Sequence, residues 1–178
     1  MVLSILQSLK IADAVIVGEI LYAKGLYSSP HSARVNAQKK LNHLCSIGKL
    51  VRIGNYYRTL DCKSEYKEHA RFVIQSLAEL FKLKDINPII HREITTPVGL
   101  RSDAIVLLTR DNQGLCLVLE VMINEPPSYF EMKQNTWDNW EGSLTYLSEL
   151  FKYKIPHFEI VPITDLVGFK SFLEEVTR

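Results

Sequence analysis

The stretch "GLRSDAIVLLTRDNQGLCLVLEVM", Gly99–Met122, constrains this chain more than any other. Two apolar runs are joined by the polar turn "RDNQG", and they read as two successive strands. Asp103 enters the first run and Glu120 stands near the end of the second. A carboxylate inside a buried strand costs several kcal/mol unless it is paired or holds a metal. A fold built on these strands must therefore bring a cation to both acids. The plainer alternatives are a turn residue at a strand entrance for Asp103 and a surface acid on an edge strand for Glu120.

The segments around this pair set the order of elements. "SEYKEHARFVIQSLAELFKLK" predicts a long amphipathic helix with Ser64 as its cap and Val73, Leu77, Leu80 and Phe81 as its core stripe. "PIIHREITT" reads as a strand. Pro126 and Pro127 break the chain after the third strand. Ser128 with Glu131 then forms a capping box that opens one helix, "YFEMKQNTWDNWEGSLTYLSELFK". Lys133, Trp137, Trp140, Leu144, Leu147 and Phe151 share a helical stripe on it. "HFEIVPI" predicts a fourth strand and "DLVGFKSFLEEVTR" a closing helix, so the order is α-β-β-β-α-β-α over residues 63–178.

Residues 1–62 follow a different pattern. "VLSILQSLKIADAVIVGEILYAKG" reads as two helices ending at Gly25. A third helix opens with Ser29 as N-cap and Pro30 at its first position, and Gly48 ends it. Ala33, Ala37, Leu41, Leu44 and Cys45 fall on one face, with Ser32, Val35, Asn36, Lys39 and Asn42 opposite. "LVRIGNYYRTL" predicts a hairpin turning at Gly54-Asn55. The net charge of +1 hides an asymmetry: Lys24–Leu60 holds seven Lys or Arg and no Asp or Glu, so this block is +7 and the rest of the chain −6. Such segregation points to an anionic partner, the alternative being a solvated basic face.

Composition narrows the class further. The chain has 178 residues, 47% hydrophobic and 23% charged, enough for one medium domain or two small ones. Cys45, Cys62 and Cys116 are widely spaced and odd in number, which argues for a reducing compartment rather than a disulfide framework. The apolar runs fall short of a membrane span, and Asp13 and Glu19 interrupt the first of them, so a cytoplasmic protein without a signal peptide is expected. The five histidines lack zinc-ligand spacing, and His69 reads as solvated or at the core rim. No Gly-rich phosphate loop, nucleophile elbow or Cys/His nucleophile pattern is present. Trp137 and Trp140 read as core anchors, able to stack on bases only if exposed.

The order helix, helix, basic helix, hairpin resembles a winged helix-turn-helix over residues 1–60, carried by "ARVNAQKKLNHLCSIGKLVRIGNYYR". That resemblance implies DNA as partner. Ser32, Asn36 and Lys39 are placed to reach base edges, and Arg34, Lys40, Lys49, Arg52 and Arg58 to contact phosphates. The other reading is a winged helix that binds protein.

Residues 64–178 resemble the PD-(D/E)XK nuclease superfamily, giving an α+β protein of two domains, 1–62 and 63–178. The resemblance implies a Mg²⁺ site in which "SD" supplies Asp103 and "LEVM" supplies Glu120, with Glu93 of "HREIT" as an additional acid. Met122 stands where the family carries its lysine. Two readings follow: Lys133, from the next helix, replaces that lysine in a Mg²⁺-dependent DNA endonuclease, or the site is dead and the fold is kept for binding. A lysine on a core stripe also often reaches out to solvent. The domain order, "YYRT" and His69 further resemble the replication-relaxation proteins of mobile elements, which implies a DNA-binding regulator or replication accessory factor. A homodimer is compatible with either reading.

Overall fold

The computed structural model describes residues 1–62, 68–110 and 113–177. The chain is an α+β protein with two sheets, and it divides into two compact units, Met1–Lys84 and Asp85–Arg178. Ser64, expected as a helix cap, and Asp111 and Asn112 of the expected turn lie outside the described residues.

The first unit holds α1 (Val2–Leu9), β1 (Ile11–Asp13), α2 (Ala14–Ala23), α3 (Pro30–Ser46), β2 (Leu50–Ile53), β3 (Tyr56–Thr59) and α4 (Glu68–Lys82). The two expected N-terminal helices are present, but a short strand separates them. Lys10 turns with φ 64°, and Ile11–Asp13 pairs antiparallel with β3, setting Ile11 against Arg58. The sheet order is β1-β3-β2. Asp13 then caps α2 by accepting the Val15 and Ile16 N–H groups. Ser29 caps α3 from the Ser32 N–H at 3.1 Å, with Pro30 in the first turn, as the sequence predicts. Ala33, Ala37 and Leu41 are fully buried, whereas Leu44 and Cys45 are only partly so. Gly48 adopts φ 69° just past the helix end and Gly54 adopts φ 57° in the hairpin turn, conformations that glycine reaches without Cβ strain.

The helix expected to open the second domain belongs by its packing to the first. α4 lies against α1 and α2, and its Lys82 Nζ pairs with Glu19 at 2.8 Å and Glu79 at 2.9 Å. The apolar periodicity predicts a helix but not which layer it joins. Of its expected stripe, Val73, Leu77 and Leu80 are buried and Phe81 partly so.

Within this unit α2 and α3 meet closely at Gly18. A Cβ there would lie 2.7 Å from the Arg34 Cα and 2.9 Å from its backbone nitrogen, so the helices approach at a distance only glycine permits. Gly18→Ala is expected to destabilise the protein by about 1–3 kcal/mol through forced separation of the two helices, read as a lower denaturant midpoint at unchanged slope.

The second unit contains β4 (Ile89–Thr95), β5 (Arg101–Arg110), β6 (Gln113–Val121), α5 (Pro127–Asp138), α6 (Ser143–Phe151), β7 (Phe158–Ile163) and α7 (Leu166–Val176). The sheet order is β4-β5-β6-β7, antiparallel except for the parallel β6–β7 pair, so β5 and β6 are interior strands. Alternation puts Ile105 and Leu107 of β5, with Cys116 and Val118 of β6, on one face. Trp137, Leu147, Phe151 and Ile155 complete that core. Trp137 is fully buried with its ring 5.5 Å from Trp140 and 5.4 Å from Phe158, which makes it the expected core anchor. Burial pushes the Cys116 thiol up to about 12, an inert core cysteine.

Two local expectations are corrected here. The single helix predicted through Phe151 is two: α5 ends at Asp138 and α6 begins at Ser143. The break lets Trp137 and Leu147 both face the sheet while Leu144, on the expected stripe, is exposed. The capping box is not formed, because α5 starts at Pro127 behind Pro126 without a side-chain cap. Proline at both positions already fixes the entry geometry. Among the described residues no helix is long and apolar enough to cross a membrane.

Candidate functional site

The face of β5 and β6 that carries the core ends in charge. Asp103, Ile105 and Leu107 alternate along β5, and Cys116, Val118 and Glu120 along β6. Antiparallel pairing runs as far as Ala104 opposite Leu119, and one further step of that register sets Asp103 across from Glu120. Where the ladder stops, the Asp103 Oδ2 accepts the Val121 N–H at 2.9 Å. Glu120 is only 1% exposed and sits on an interior strand, so the edge-strand surface reading of this acid is excluded.

The cation comes from α5. Lys133, one turn before Trp137 on the same helical face, is 7% exposed. Its Nζ donates to Glu120 Oε2 at 2.5 Å and to the Arg101 carbonyl oxygen at 2.8 Å. The Tyr129 ring, one turn earlier, lies 4.9 Å from the same Nζ. The ammonium is therefore enclosed by a carboxylate, a carbonyl and an aromatic face rather than directed to solvent. Burial raises the Glu120 carboxyl above the usual range, opposed by the hydrogen bond and charge of Lys133 and by the nearby Ser102 hydroxyl. Burial alone would lower the Lys133 ammonium, but the hydrogen bond and charge of Glu120 outweigh it and hold it protonated.

One part of this centre is unfinished. Glu120 Oε1 and Ser102 Oγ are buried without hydrogen-bond partners of good geometry. An orphaned carboxylate oxygen beside a second carboxylate is a hard-oxygen donor pair, the kind that Mg²⁺ takes together with water. Among the described residues no group of three or more His, Cys, Asp or Glu gathers closely enough to hold a metal ion.

Glu93 does not join it. It lies in β4 between Arg92, paired with Ala104, and Ile94, paired with Ser102, but its φ of 53° interrupts the strand geometry. Its carboxylate pairs with Arg92 at 3.2 Å and Arg101 at 3.7 Å. Neither Arg101 nor Tyr129 stands out in the sequence by itself. Arg101 lies two residues before Asp103, a spacing that puts both on one strand face and is the signal that could have found it.

The basic residues of the first unit are arranged separately. Arg34, Lys39, Lys40, Lys49 and Arg52 are exposed and Arg58 is partly buried. Arg52 Nε donates to the Gly54 carbonyl at 3.0 Å and its guanidinium lies 5.7 Å from the Tyr57 ring, which stiffens the hairpin. Ser32 and Asn36, expected at base edges, are half-buried and bond the backbone of their own helix: Ser32 Oγ donates to the Ser29 carbonyl at 3.0 Å and Asn36 Nδ2 to the Ser32 carbonyl at 2.8 Å. Asn42 and Gln38 are tied to Tyr57, whose hydroxyl donates to Asn42 Oδ1 at 2.7 Å and accepts from Gln38 Nε2. The exposed residues of α3 include His31, Arg34, Val35, Lys39, Lys40, Asn42, His43 and Ser46.

Comparisons with family models, curated proteins and solved structures find no match to this chain.

Proposed function

We propose that this chain is a DNA-binding protein whose first unit is a winged helix and whose second unit is a PD-(D/E)XK-like domain with a hydrolytic centre of Asp103, Glu120 and Lys133, acting as a Mg²⁺-dependent DNA endonuclease. The element order α1-β1-α2-α3-β2-β3 and the meander β4-β5-β6 with β7 parallel to β6 support the two domain assignments. The units differ in charge as such a division of labour requires: thirteen Lys or Arg against six Asp or Glu in the first, eight against fourteen in the second, or +7 and −6.

The observation that carries the catalytic reading is the direction of Lys133. With Met122 in place of a strand lysine, the family chemistry requires a cation from elsewhere, and the Lys133 ammonium is buried against Glu120 on the face that holds Asp103. Asp103 and Glu120 would hold the metal, which supplies charge stabilisation and an activated water. Lys133 opposes the rise that burial imposes on the Glu120 carboxyl and adds positive charge to the site.

A second reading is favoured by the saturation of that same ammonium. Lys133 already satisfies Glu120 and the Arg101 carbonyl, so it could act as a fixed internal cation in a DNA-binding regulator or replication accessory factor of a mobile element.

DNA binding and cleavage measured in one titration separate the two. With Mg²⁺ or Mn²⁺ the wild type is expected to cut duplex DNA. Asp103→Ala, Glu120→Ala and Lys133→Ala are each expected to lower the rate by about 100-fold or more. Salt-sensitive binding without cleavage, unaltered by the three substitutions, would replace the endonuclease by the regulator.

A further inference from the structure

We propose that Arg101 is the residue of this centre that grips a DNA backbone phosphate. The inference rests on the DNA-processing reading of the site. Lys133 cannot perform that task while enclosed: Glu120, the Arg101 carbonyl and the Tyr129 ring surround its Nζ, and the residue is 7% exposed. A phosphate approaching the Asp103–Glu120 pair meets two carboxylates and is repelled unless an accessible cation stands beside them.

Arg101 is that cation. It begins β5 two residues before Asp103, on the same strand face, and its side chain is 70% exposed. Its backbone oxygen is anchored by Lys133, so the residue is fixed to the centre through its main chain while its guanidinium reaches solvent. Continuing the β5–β6 register brings it across from Met122, the position that lacks the strand lysine. The ion pair that its side chain makes with Glu93 is loose. Glu93 lies 3.7 Å from the Arg101 guanidinium, whereas the same carboxylate lies 3.2 Å from Arg92, whose side chain is buried. A phosphate offers the guanidinium a bidentate, charge-assisted partner that this distant carboxylate does not. Lys133 thus serves as the internal cation, and Arg101 as the external one.

The test uses the full chain and a labelled short duplex, with binding read as a function of salt in EDTA and in Ca²⁺. Arg101→Ala is expected to weaken low-salt binding about tenfold and to lower the slope of log K against log[salt] by about 1, the signature of one phosphate left unneutralised. Arg101→Lys should keep the slope, because the charge is retained. Where the wild type cleaves, Arg101→Ala is expected to raise KM about tenfold with kcat within about twofold. Glu93→Gln breaks the same ion pair but keeps the guanidinium, and should hold or raise affinity. Unchanged slope and affinity in Arg101→Ala would overturn the assignment, as would an equal loss in Glu93→Gln. A wild type that binds and never cleaves would defeat the endonuclease alone, and the slope comparison would still decide Arg101.

Discussion

Lys133→Ala is expected to destabilise the protein by about 3–5 kcal/mol, the cost of leaving a buried charge without its partner. Glu120 is 1% exposed and its Oε1 makes no hydrogen bond of good geometry, so removing the ammonium strips the carboxylate of its strongest hydrogen bond. The loss should depend on pH. Burial raises the Glu120 carboxyl above its ordinary value of 4.5, and without Lys133 nothing of comparable strength opposes it. A raised folded-state pKa means stability present below that ordinary value and lost as pH rises through the raised one. The deficit of Lys133→Ala is therefore expected to be larger at pH 8 than at pH 5 in denaturant titrations. Glu120→Gln in the Lys133→Met background should recover much of the loss, since an uncharged pair removes the penalty from both sides. A Lys133→Ala variant as stable as wild type at pH 8 would mean that the ion pair is open in solution.

The second large effect concerns the exposed cations of the first unit. Replacing Arg34, Lys39, Lys40 and Lys49 by glutamine is expected to lower affinity for duplex DNA by about 10³-fold or more at low salt. The slope of log K against log[salt] should fall by about 3–4, at about 0.9 for each phosphate no longer neutralised. These side chains are exposed, so the melting temperature should move little. Binding should weaken alike on unrelated sequences, because phosphate contacts carry no base identity. If the wild type shows no salt-dependent DNA affinity, the first unit is a protein-binding module.

Much of the second unit was legible in its sequence, and the reasons are physical. Strands β5 and β6 announce themselves because interior strands are apolar on both faces, and Asp103 and Glu120 stand out against that background. The three residues of β1 did not, because a strand that short is hidden inside a continuous apolar run and is defined by its pairing with β3. The α5–α6 break was masked: the stripe from Lys133 to Phe151 holds helical spacing across the turn at Gly142, on either side of which Trp137 and Leu147 join one core. The placement of α4 is a packing decision between apolar surfaces, which periodicity alone does not express.

The candidate site divides in the same way. Both acids and Lys133 stand out in the sequence by their positions on strand and helix; in the fold Lys133 pairs with Glu120, and Asp103 lies on the same sheet face, opposite Glu120 in register. Glu93 stands out too, but a positive φ turns it toward Arg92 and Arg101. Ser32 and Asn36 carry the right chemistry for base edges, yet each lies within reach of a helix carbonyl, a competition between side chain and backbone that a helical wheel does not display.

The source of the Lys133 cation also bears on how the second unit assembles. Asp103 and Glu120 come together through a local hairpin, whose strands are neighbours in the chain. The buried counter-charge of Glu120 arrives only with α5, on the crossover that ends in the parallel strand β7. Until that helix docks, drying the end of the hairpin would bury the Glu120 carboxylate without its partner, which favours a hydrated end while the apolar remainder is free to collapse. Drying of the Glu120 carboxylate and seating of α5 are then coupled, and the lysine acts as the latch that commits the sheet to its helical layer.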